Sequence, residues 1–392
     1  MAKNIRWLLT FVLCMMFAYT AHAQGTSTVD PIIILNNGDL WTWDGSGSGL
    51  QQMTNWGYNQ EPVLSPDGQH VAYIAWSSIT VDALQREGAV AGGEVPGDIK
   101  ILDVTSKQEA VIAAQPSDAS FFKQGVTDNA VIRSKPAWSP DGKQLAWTEY
   151  DYPGVGVSRV IVYDLPTAAI TTVVPDLPAQ VGVPVPMEMT WGENGFIVRS
   201  TVMNLQNPAI FDDNFLVYGT NGALRATIPI TQTQQRFMTK FIVVRYHAKE
   251  YIGVLYNTDE WDLFDPLTGE SQPAPHAPEV YCLTAPEKSI SMLLKPDIEG
   301  NGVDYQLLDV DGNPVGKPID LDVNYEGRVA LSPSGNAAAF VQYDAQNLTY
   351  GSSVIIWNNG EVSAKFDVNP LGFSFMWGPT AWRIRAKEDQ AW

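Results

Sequence analysis

The side chains best suited to hold a ligand are aromatic and acidic residues in the longest stretches between apolar strands. These stretches fall at 77–97, 115–135, 149–158, 199–213, 295–303 and 343–352. Long connections are more often functional or disordered than structural, and aromatic rings beside carboxylates can grip sugars, cationic groups or peptides. The candidate ligand-binding residues are therefore Phe121, Phe122, Glu149, Tyr150, Asp151, Tyr152, Phe211, Asp212, Asp213, Tyr343 and Tyr350. The alternative for any one aromatic residue is that it folds back and caps a sheet.

No catalytic residue can be assigned from the sequence. A nucleophile elbow, G-x-S-x-G, does not occur, and the glycine-serine run at 45–49 is out of phase with it. Glycoside cleavage needs two carboxylates that face each other across a cleft. Because the chain has 43 Asp and Glu residues, such a pair is possible, but the sequence does not select one.

Metal ligands are poorly supplied. Beyond residue 23 the histidines are His70, His247 and His276, which fall in three different repeats. The stretch 309–313, DVDGN, begins like a calcium loop, but Pro314 and Asp320 stand where such a loop needs Gly and Glu. We therefore predict a hairpin turn at this stretch, and neither a metal nor a cofactor for the chain.

The first 23 residues have the pattern of a cleaved export signal. Lys3 and Arg6 precede an apolar run at 7–19, and Ala-His-Ala at 21–23 fits a cleavage site; the alternative is an uncleaved anchor. The predicted location is periplasmic or extracellular, with no membrane span after cleavage. Cys282 is then the single cysteine, so no intramolecular disulfide can form. A formal net charge of −19 disfavours nucleic acid as a partner.

The elements that would position the candidate residues are recurring β-hairpins. The stretch PAWSPDGKQLAWTEYD at 136–151 alternates in its second half, and Asp141-Gly142 supplies a tight turn. Similar hairpins begin at Pro62, as PVLSPDGQHVAYIAW, and at Val329, as VALSPSGNAAAFVQYD. One such hairpin cannot bury its apolar face alone, so the repeats must pack on one another.

A second unit, an apolar strand followed by a turn and another strand, follows the hairpins. Its seven copies begin at Asp39, Asp98, Arg159, Asn214, Glu260, Asp304 and Ser353. Their spacing of roughly 45 to 60 residues predicts an all-β, seven-bladed β-propeller of four-stranded antiparallel blades. The N-terminal segment 32–54 and the C-terminal segment from Phe373 would share one blade and close the ring, and either 32–35 or 382–385 could be its second strand. Outside the signal, only 81–86 has a helical pattern.

The hairpin and the following strand resemble the WD40-like (PD40) repeat of TolB-like β-propellers. The residues that carry this resemblance best are Pro136, Trp138, Ser139, Pro140, Asp141, Gly142, Tyr163 and Asp164. The repeat is also similar to that of the N-terminal propellers of dipeptidyl peptidase IV and prolyl oligopeptidase relatives. The resemblance implies a single propeller at 31–386, between a short extension at 24–30 and a tail at 387–392.

The propeller fold hosts many functions, so the role is predicted from the loops. Connections from the second to the third strand of a repeat, and from the fourth strand to the next repeat, emerge on the same side, which we call the loop face. We predict an exported, non-enzymatic binding or scaffold module that engages a protein, peptide or glycan on this face. The alternatives are a glycan hydrolase or lyase that uses carboxylates of the central channel, and a structural member of an envelope assembly with an apolar patch on its outer edge.

Overall fold

The computed structural model describes residues 32–43, 49–87, 95–121, 127–152, 158–178, 187–203, 211–233, 235–246, 249–258, 260–273, 280–285, 290–296, 303–308, 313–321, 329–331, 337–343, 352–358, 361–368 and 382–384. Antiparallel strands dominate this part of the chain. Its one helix is α1, Ser78–Glu87. No helix in these ranges is long and apolar enough to cross a membrane.

The strands follow one another in groups along the chain. The first groups are β1 Ile32–Asn36, β2 Asp39–Trp43, β3 Gln51–Gln52, β4 Asn59–Leu64, β5 His70–Trp76, β6 Gly97–Asp103, β7 Glu109–Ala113, β8 Ser120–Phe121 and β9 Thr127–Asp128. The next are β10 Ala130–Arg133, β11 Ala137–Trp138, β12 Gln144–Tyr152, β13 Arg159–Asp164, β14 Ala169–Val174, β15 Met189–Gly192, β16 Gly195–Met203, β17 Phe211–Tyr218 and β18 Leu224–Ile230. The last are β19 Met238–Tyr246, β20 Lys249–Tyr256, β21 Trp261–Phe264, β22 Ser271–Pro273, β23 Val280–Ala285, β24 Ile290–Pro296, β25 Val303–Leu308, β26 Pro314–Leu321, β27 Val329–Leu331, β28 Ala337–Tyr343, β29 Ser352–Asn358, β30 Glu361–Val368 and β31 Trp382–Ile384.

Consecutive strands pair into antiparallel sheets, which confirms the predicted all-β class. Sheet 1 has the order β3-β2-β1-β31, and sheet 2 the order β4-β5-β6-β7. In sheet 3, β10 and β11 both pair with β12, which is followed by β13 and β14. Sheets 4, 5, 6 and 7 are β15-β16-β17-β18, β19-β20-β21-β22, β23-β24-β25-β26 and β27-β28-β29-β30. Strands β8 and β9 form a separate two-stranded sheet.

The Ser-Pro-Asp-Gly turns between the first and second strands of a sheet are built by their own side chains. The Ser139 hydroxyl donates to Asp141 Oδ1 at 2.7 Å, and the same carboxylate accepts from the Lys143 backbone N–H. Gly142 has a φ of +71°, a conformation that side chains disfavour. The turn at 65–69 repeats these hydrogen bonds with Ser65 and Asp67. Sequence and structure therefore agree at both hairpins.

The described apolar side chains pack between neighbouring sheets. Between sheets 2 and 3 they include Val63, Ile74, Ile101, Trp138 and Trp147. Similar layers lie between sheets 1 and 2, between sheets 3 and 4, and between sheets 4 and 5. The Trp138 indole N–H also donates to the Val63 carbonyl at 3.0 Å, so a hydrogen bond joins two sheets within one of these layers.

Sheet 1 combines segments from distant parts of the chain. Ile32, Ile33 and Ile34 of β1 pair with Ile384, Arg383 and Trp382 of β31. In the order β3-β2-β1-β31, strand β31 lies at the edge, and β1 is paired on both sides, with β2 and with β31. Because a second strand takes an inner position, that position belongs to β1 of the N-terminal segment and not to β31, a choice that the sequence left open.

Several predicted connections are shorter than expected because strands continue into them. The predicted loop at 149–158 begins inside β12, which runs to Tyr152. The last four residues of β12 pair with β10, Ala130–Arg133, and β10 itself lies in the predicted insertion at 115–135. The predicted loop at 199–213 likewise loses residues to β16 and β17. The helical pattern at 81–86 is confirmed: α1 begins after Ser77, whose hydroxyl accepts from the Thr80 N–H.

Candidate ligand-binding face

The loop face of sheet 3 is organised around the carboxylate of Glu149. This side chain is 10% exposed and lies 3.1 Å from Arg133 Nε and 2.9 Å from an Arg159 nitrogen. The Trp147 indole N–H donates to the same carboxylate at 3.0 Å. Arg133 also donates to the carbonyls of Gly97 and Ala114. Glu149 is therefore the anchor of a buried network that ties sheet 3 to sheet 2.

The outer edge of this network reaches solvent through Asp151. Its carboxylate accepts two hydrogen bonds from Arg159 at 2.8 and 2.9 Å. The hydrogen bond to Arg159 lowers the pKa of Asp151 below its ordinary value, and it raises the pKa of Arg159. Burial lowers the pKa of Arg133. Arg159 thus stays charged, and Asp151 stays ionised except in strong acid.

Sheet 4 carries a related cluster on the same face. Arg199 donates to Asp213 at 2.9 Å and to Glu188 at 3.0 Å. Asp213 is 1% exposed and also accepts from the Thr201 hydroxyl and the Gln232 amide. Burial is the largest single effect on Arg199 and opposes its charge, but the hydrogen bonds and negative charges of Asp213 and Glu188 together outweigh burial, so the pKa of Arg199 is raised. Asp213 is therefore committed to internal contacts.

Sheet 5 repeats the arrangement with an aromatic ring added. Arg236 contacts Glu260 and Asp262, each at 2.8 Å. Its guanidinium carbon lies 3.4 Å from the centre of the Tyr256 ring, a cation–π contact. The hydrogen bond from Arg236 lowers the pKa of Glu260, and burial raises the pKa of Tyr256. Three successive sheets therefore place an arginine between two carboxylates on the loop face.

An aromatic cluster occupies the loop face of sheet 2, and the sequence analysis missed it. Trp56 and Tyr58 lie in the connection before β4, and Trp76 ends β5. The Tyr58 and Trp76 rings stack with centroids 5.7 Å apart, and Trp56 meets Tyr58 edge-on at 5.9 Å. All three side chains are half-buried. The signal that could have found them is the Trp-Gly-Tyr sequence at 56–58 in a connection of only six residues.

The structure separates the predicted site residues into different environments. Glu149, Tyr150 and Asp213 are buried, whereas Asp151 is exposed. The other described candidates lie at the ends of strands. Phe121 ends β8, Tyr152 ends β12 and Tyr343 ends β28, whereas Phe211 and Asp212 begin β17. Phe122 and Tyr350 lie outside the described residues. Among the described candidates, Glu149 and Asp151 meet at Arg159, which contacts both carboxylates.

The possible metal ligands remain dispersed. His70 Nε2 lies 3.9 Å from Asp103 Oδ2, at the opposite end of sheet 2 from the loop face. His247, His276 and the stretch 309–312 lie outside the described residues. In the part of the chain that the structure describes, no three His, Cys, Asp or Glu side chains form a group that could hold a metal ion.

Successive four-stranded antiparallel sheets that pack face to face are the arrangement of a β-propeller. No protein-family model and no curated protein matches the chain. Many solved structures do, and the predicted resemblance to TolB-like and peptidase propellers is confirmed at the level of the fold.

Three of these structures illustrate the likeness. The dihydro-heme d1 dehydrogenase NirN has a TM-score of 0.51 and 10% identity, over 93% of this chain and 77% of that chain. TolB from Acinetobacter baumannii has a TM-score of 0.39 and 16% identity, over 82% of this chain and 72% of that chain. The β-propeller domain of the Trilobed protease from Pyrococcus furiosus has a TM-score of 0.45 and 13% identity, over 78% of this chain and 82% of that chain. At these identities the likeness concerns the fold alone.

Proposed function

We propose that the chain is an exported, seven-bladed β-propeller that binds a protein, peptide or glycan on its loop face. Sheets 1 to 7 are its blades, and the pairing of β31 with β1 closes the ring. The export step rests on the signal pattern at 1–23, and its test is N-terminal sequencing of the protein recovered from the cell exterior or periplasm.

The ring is supported by contacts between the first strands of neighbouring sheets. These contacts join β4 to β11, β11 to β15, β15 to β19, β23 to β27, β27 to β31 and β31 to β4. They form a continuous run from sheet 6 through sheets 7, 1, 2, 3 and 4 to sheet 5. Contact between sheets 5 and 6 would complete the ring that a propeller requires, in which each blade packs on two neighbours.

The observation that carries a binding role is the half-buried aromatic cluster of Trp56, Tyr58 and Trp76 on the loop face. Aromatic rings that keep part of their surface in water supply contact area at a small cost in side-chain entropy. The carboxylates with shifted pKa values on this face, Asp151 and Glu260, are shifted downward. A general acid for glycoside cleavage needs a raised pKa. The lowered pKa values of Asp151 and Glu260 therefore support a binding role rather than glycoside cleavage.

The test is a ligand screen on the mature chain, residues 24–392, followed by mapping of the contact surface. Glycans, peptides and peptidoglycan fragments would be screened by thermal shift, since a ligand that binds only the folded state raises its melting temperature. Hydrogen exchange with a positive ligand should then protect the connections of the loop face. Protection confined to the opposite face would refute the proposal, and turnover of a glycan would establish the enzyme alternative.

The structural-assembly alternative is favoured by a separate observation on the outer strands. Val111, Ile170 and Leu224 lie on the fourth strands of sheets 2, 3 and 4 and are 53%, 52% and 55% exposed. Edge strands with exposed apolar side chains can pair with another chain. Replacing all three with threonine should abolish recovery of an envelope complex if this alternative holds, and should leave the complex intact if the loop face makes the contact.

A further inference from the structure

The turn between β1 and β2 is formed by the dipeptide Asn37-Gly38. Asn36 pairs with Asp39 in the register of the two strands, so Asn37 and Gly38 are the two residues of the loop. Their φ values are +53° and +74°, and a positive φ at both central residues is what a type I′ hairpin turn requires. Asparagine enters this conformation more readily than most residues, so the local sequence explains the turn.

An asparagine followed by glycine also carries a reaction of its own. The glycine backbone nitrogen can attack the side-chain amide carbon of the asparagine. A C–N bond forms, the bond to the amide nitrogen breaks, and ammonia leaves with the proton of the glycine nitrogen. Water then opens the cyclic imide at either carbonyl, which leaves aspartate or isoaspartate. Glycine favours the attack because it has no side chain to hinder the approach, and water is the only co-reactant.

The structure leaves both reacting groups of Asn37-Gly38 available. The Asn37 side chain is exposed, and neither its amide nor the Gly38 N–H makes a hydrogen bond among the described residues. The Gly38 carbonyl, by contrast, accepts from the backbone N–H and the side-chain amide of Asn59, each at 2.8 Å. The glycine is therefore held through its carbonyl, whereas the nitrogen that attacks is not held.

Two other Asn-Gly dipeptides in the described part of the chain are restrained by hydrogen bonds. The Asn194 amide donates to Glu250 Oε1 at 3.0 Å, and its backbone N–H donates to the same oxygen. The Gly222 N–H donates to a backbone carbonyl at 2.8 Å, and Asn221 Oδ1 accepts from the Ala223 N–H. Reaction at either site must first break such contacts. The dipeptides at 301–302 and 359–360 lie outside the described residues.

The product at position 37 would disturb the contact between sheets 1 and 2. Isoaspartate lengthens the backbone of the turn and displaces Gly38, whose carbonyl holds Asn59. There is little room for this displacement, because a side chain at Gly38 would already overlap the Gly57 carbonyl oxygen. The new carboxylate also lies close in sequence to Asp39, which accepts from the Gly57 N–H at 2.9 Å. The connection before β4 would therefore shift together with the turn.

We infer that Asn37 is a site of spontaneous deamidation, at which the folded chain reacts before it reacts at Asn194 or Asn221. The isoaspartyl product loosens the contact of sheet 1 with sheet 2. This modification needs no enzyme and does not depend on the ligand that the loop face binds.

The experiment incubates residues 24–392 at mildly alkaline pH and follows the Asn-Gly sites by peptide mapping. The mass gain of each peptide reports deamidation, and labelling by an isoaspartyl methyltransferase reports isoaspartate. We expect Asn37 to react about tenfold faster than Asn194 or Asn221, because hydrogen bonds must open at those two sites. In urea the three sites should react at similar rates, since each is an Asn-Gly pair without its folded contacts.

The matched control is Asn37→Gly, which removes the reactive amide and keeps a residue that tolerates the positive φ. This variant should fold with a melting temperature near that of the wild-type chain and should lose the early product. Equal rates at the three sites of the folded chain, or reaction in urea alone, would overturn the assignment to Asn37. An early isoaspartyl product that persists in Asn37→Gly would overturn it as well.

The effect on the sheets has a separate measurement. The deamidated fraction of the wild-type chain, isolated by ion exchange, should melt below the unmodified fraction. A melting temperature equal to that of the unmodified fraction would overturn the loosened contact between sheets 1 and 2.

Discussion

The buried carboxylate of Glu149 offers the sharpest test of how the sheets are held together, through the substitution Glu149→Gln. The amide keeps the size of the side chain but removes the charge opposite Arg133, whose side chain is 5% exposed. It also turns an NH₂ donor toward a site where Arg133, Arg159 and Trp147 all donate. Removing one partner of a buried ion pair destabilises a protein by about 3–5 kcal/mol.

The magnitude converts into a measurable shift in melting temperature. Unfolding entropy of about 2.1 cal/mol/K per residue gives roughly 0.8 kcal/mol/K for the roughly 369 residues that follow the predicted signal at 1–23. A loss of about 3–5 kcal/mol should therefore lower the melting temperature by about 4–6 °C in a calorimetric scan, provided that the sheets unfold as one cooperative unit.

The matched control is Asp151→Asn, which neutralises a carboxylate on the same arginine. The Asp151 side chain is 64% exposed, so its ion pair with Arg159 is screened by water and should contribute less than about 1 kcal/mol. Glu149→Gln should therefore melt clearly below Asp151→Asn. Equal melting temperatures for Glu149→Gln and the wild-type chain, or a larger loss in Asp151→Asn, would refute this expectation.

Three further outcomes are expected. Gly222→Ala should be destabilised far more than Gly49→Ala in urea unfolding. Both glycines have a φ of +79°, but only at Gly222 would a side chain overlap a carbonyl oxygen of the preceding sheet. Equal losses of stability in the two variants would show that backbone strain alone matters. Trp138→Phe should lose about 1–3 kcal/mol in the same measurement, since it leaves the buried Val63 carbonyl without its indole donor, and an unchanged midpoint would contradict this. The hydrogen bond from the neighbouring serine hydroxyl lowers the pKa of Asp141, so its contribution to stability is present above the unfolded value of about 3.9 and is lost as the pH falls below it. The wild-type melting temperature should therefore drop more steeply below about pH 4 than that of Asp141→Asn, and parallel curves would refute the link.

The parts of the fold that were predicted correctly are those whose determinants are local. The turn at 139–143 is specified by its own serine, aspartate and glycine, so the sequence alone predicts it. The extent of β12 was predicted incorrectly, because its last three residues, 150–152, are strand only through pairing with residues 130–132 of β10. That pairing lies outside the repeat pattern, and no local signal distinguishes it from a connection.

The candidate site was predicted less well, for a related reason. Glu149 was selected as a loop carboxylate, but its surroundings are two arginines and an indole supplied by three different strands. Trp76 is the last residue of the hairpin predicted from Pro62, and only the register of β4 with β5 brings it beside Trp56 and Tyr58. Residue type and connection length select candidate residues, whereas the partners of each side chain depend on contacts between distant segments.

The strand order of sheet 1 has a consequence for how the chain reaches its folded state. Ile32 in β1 pairs with Ile384 in β31, so one hydrogen-bonding edge of β1 has no partner from β31 until almost the whole chain has been made. Contacts between such distant segments form slowly, and an open edge can accept a strand from another molecule. During refolding at high concentration, two copies can exchange this short strand, so a domain-swapped dimer is the expected by-product. Dilution should suppress it.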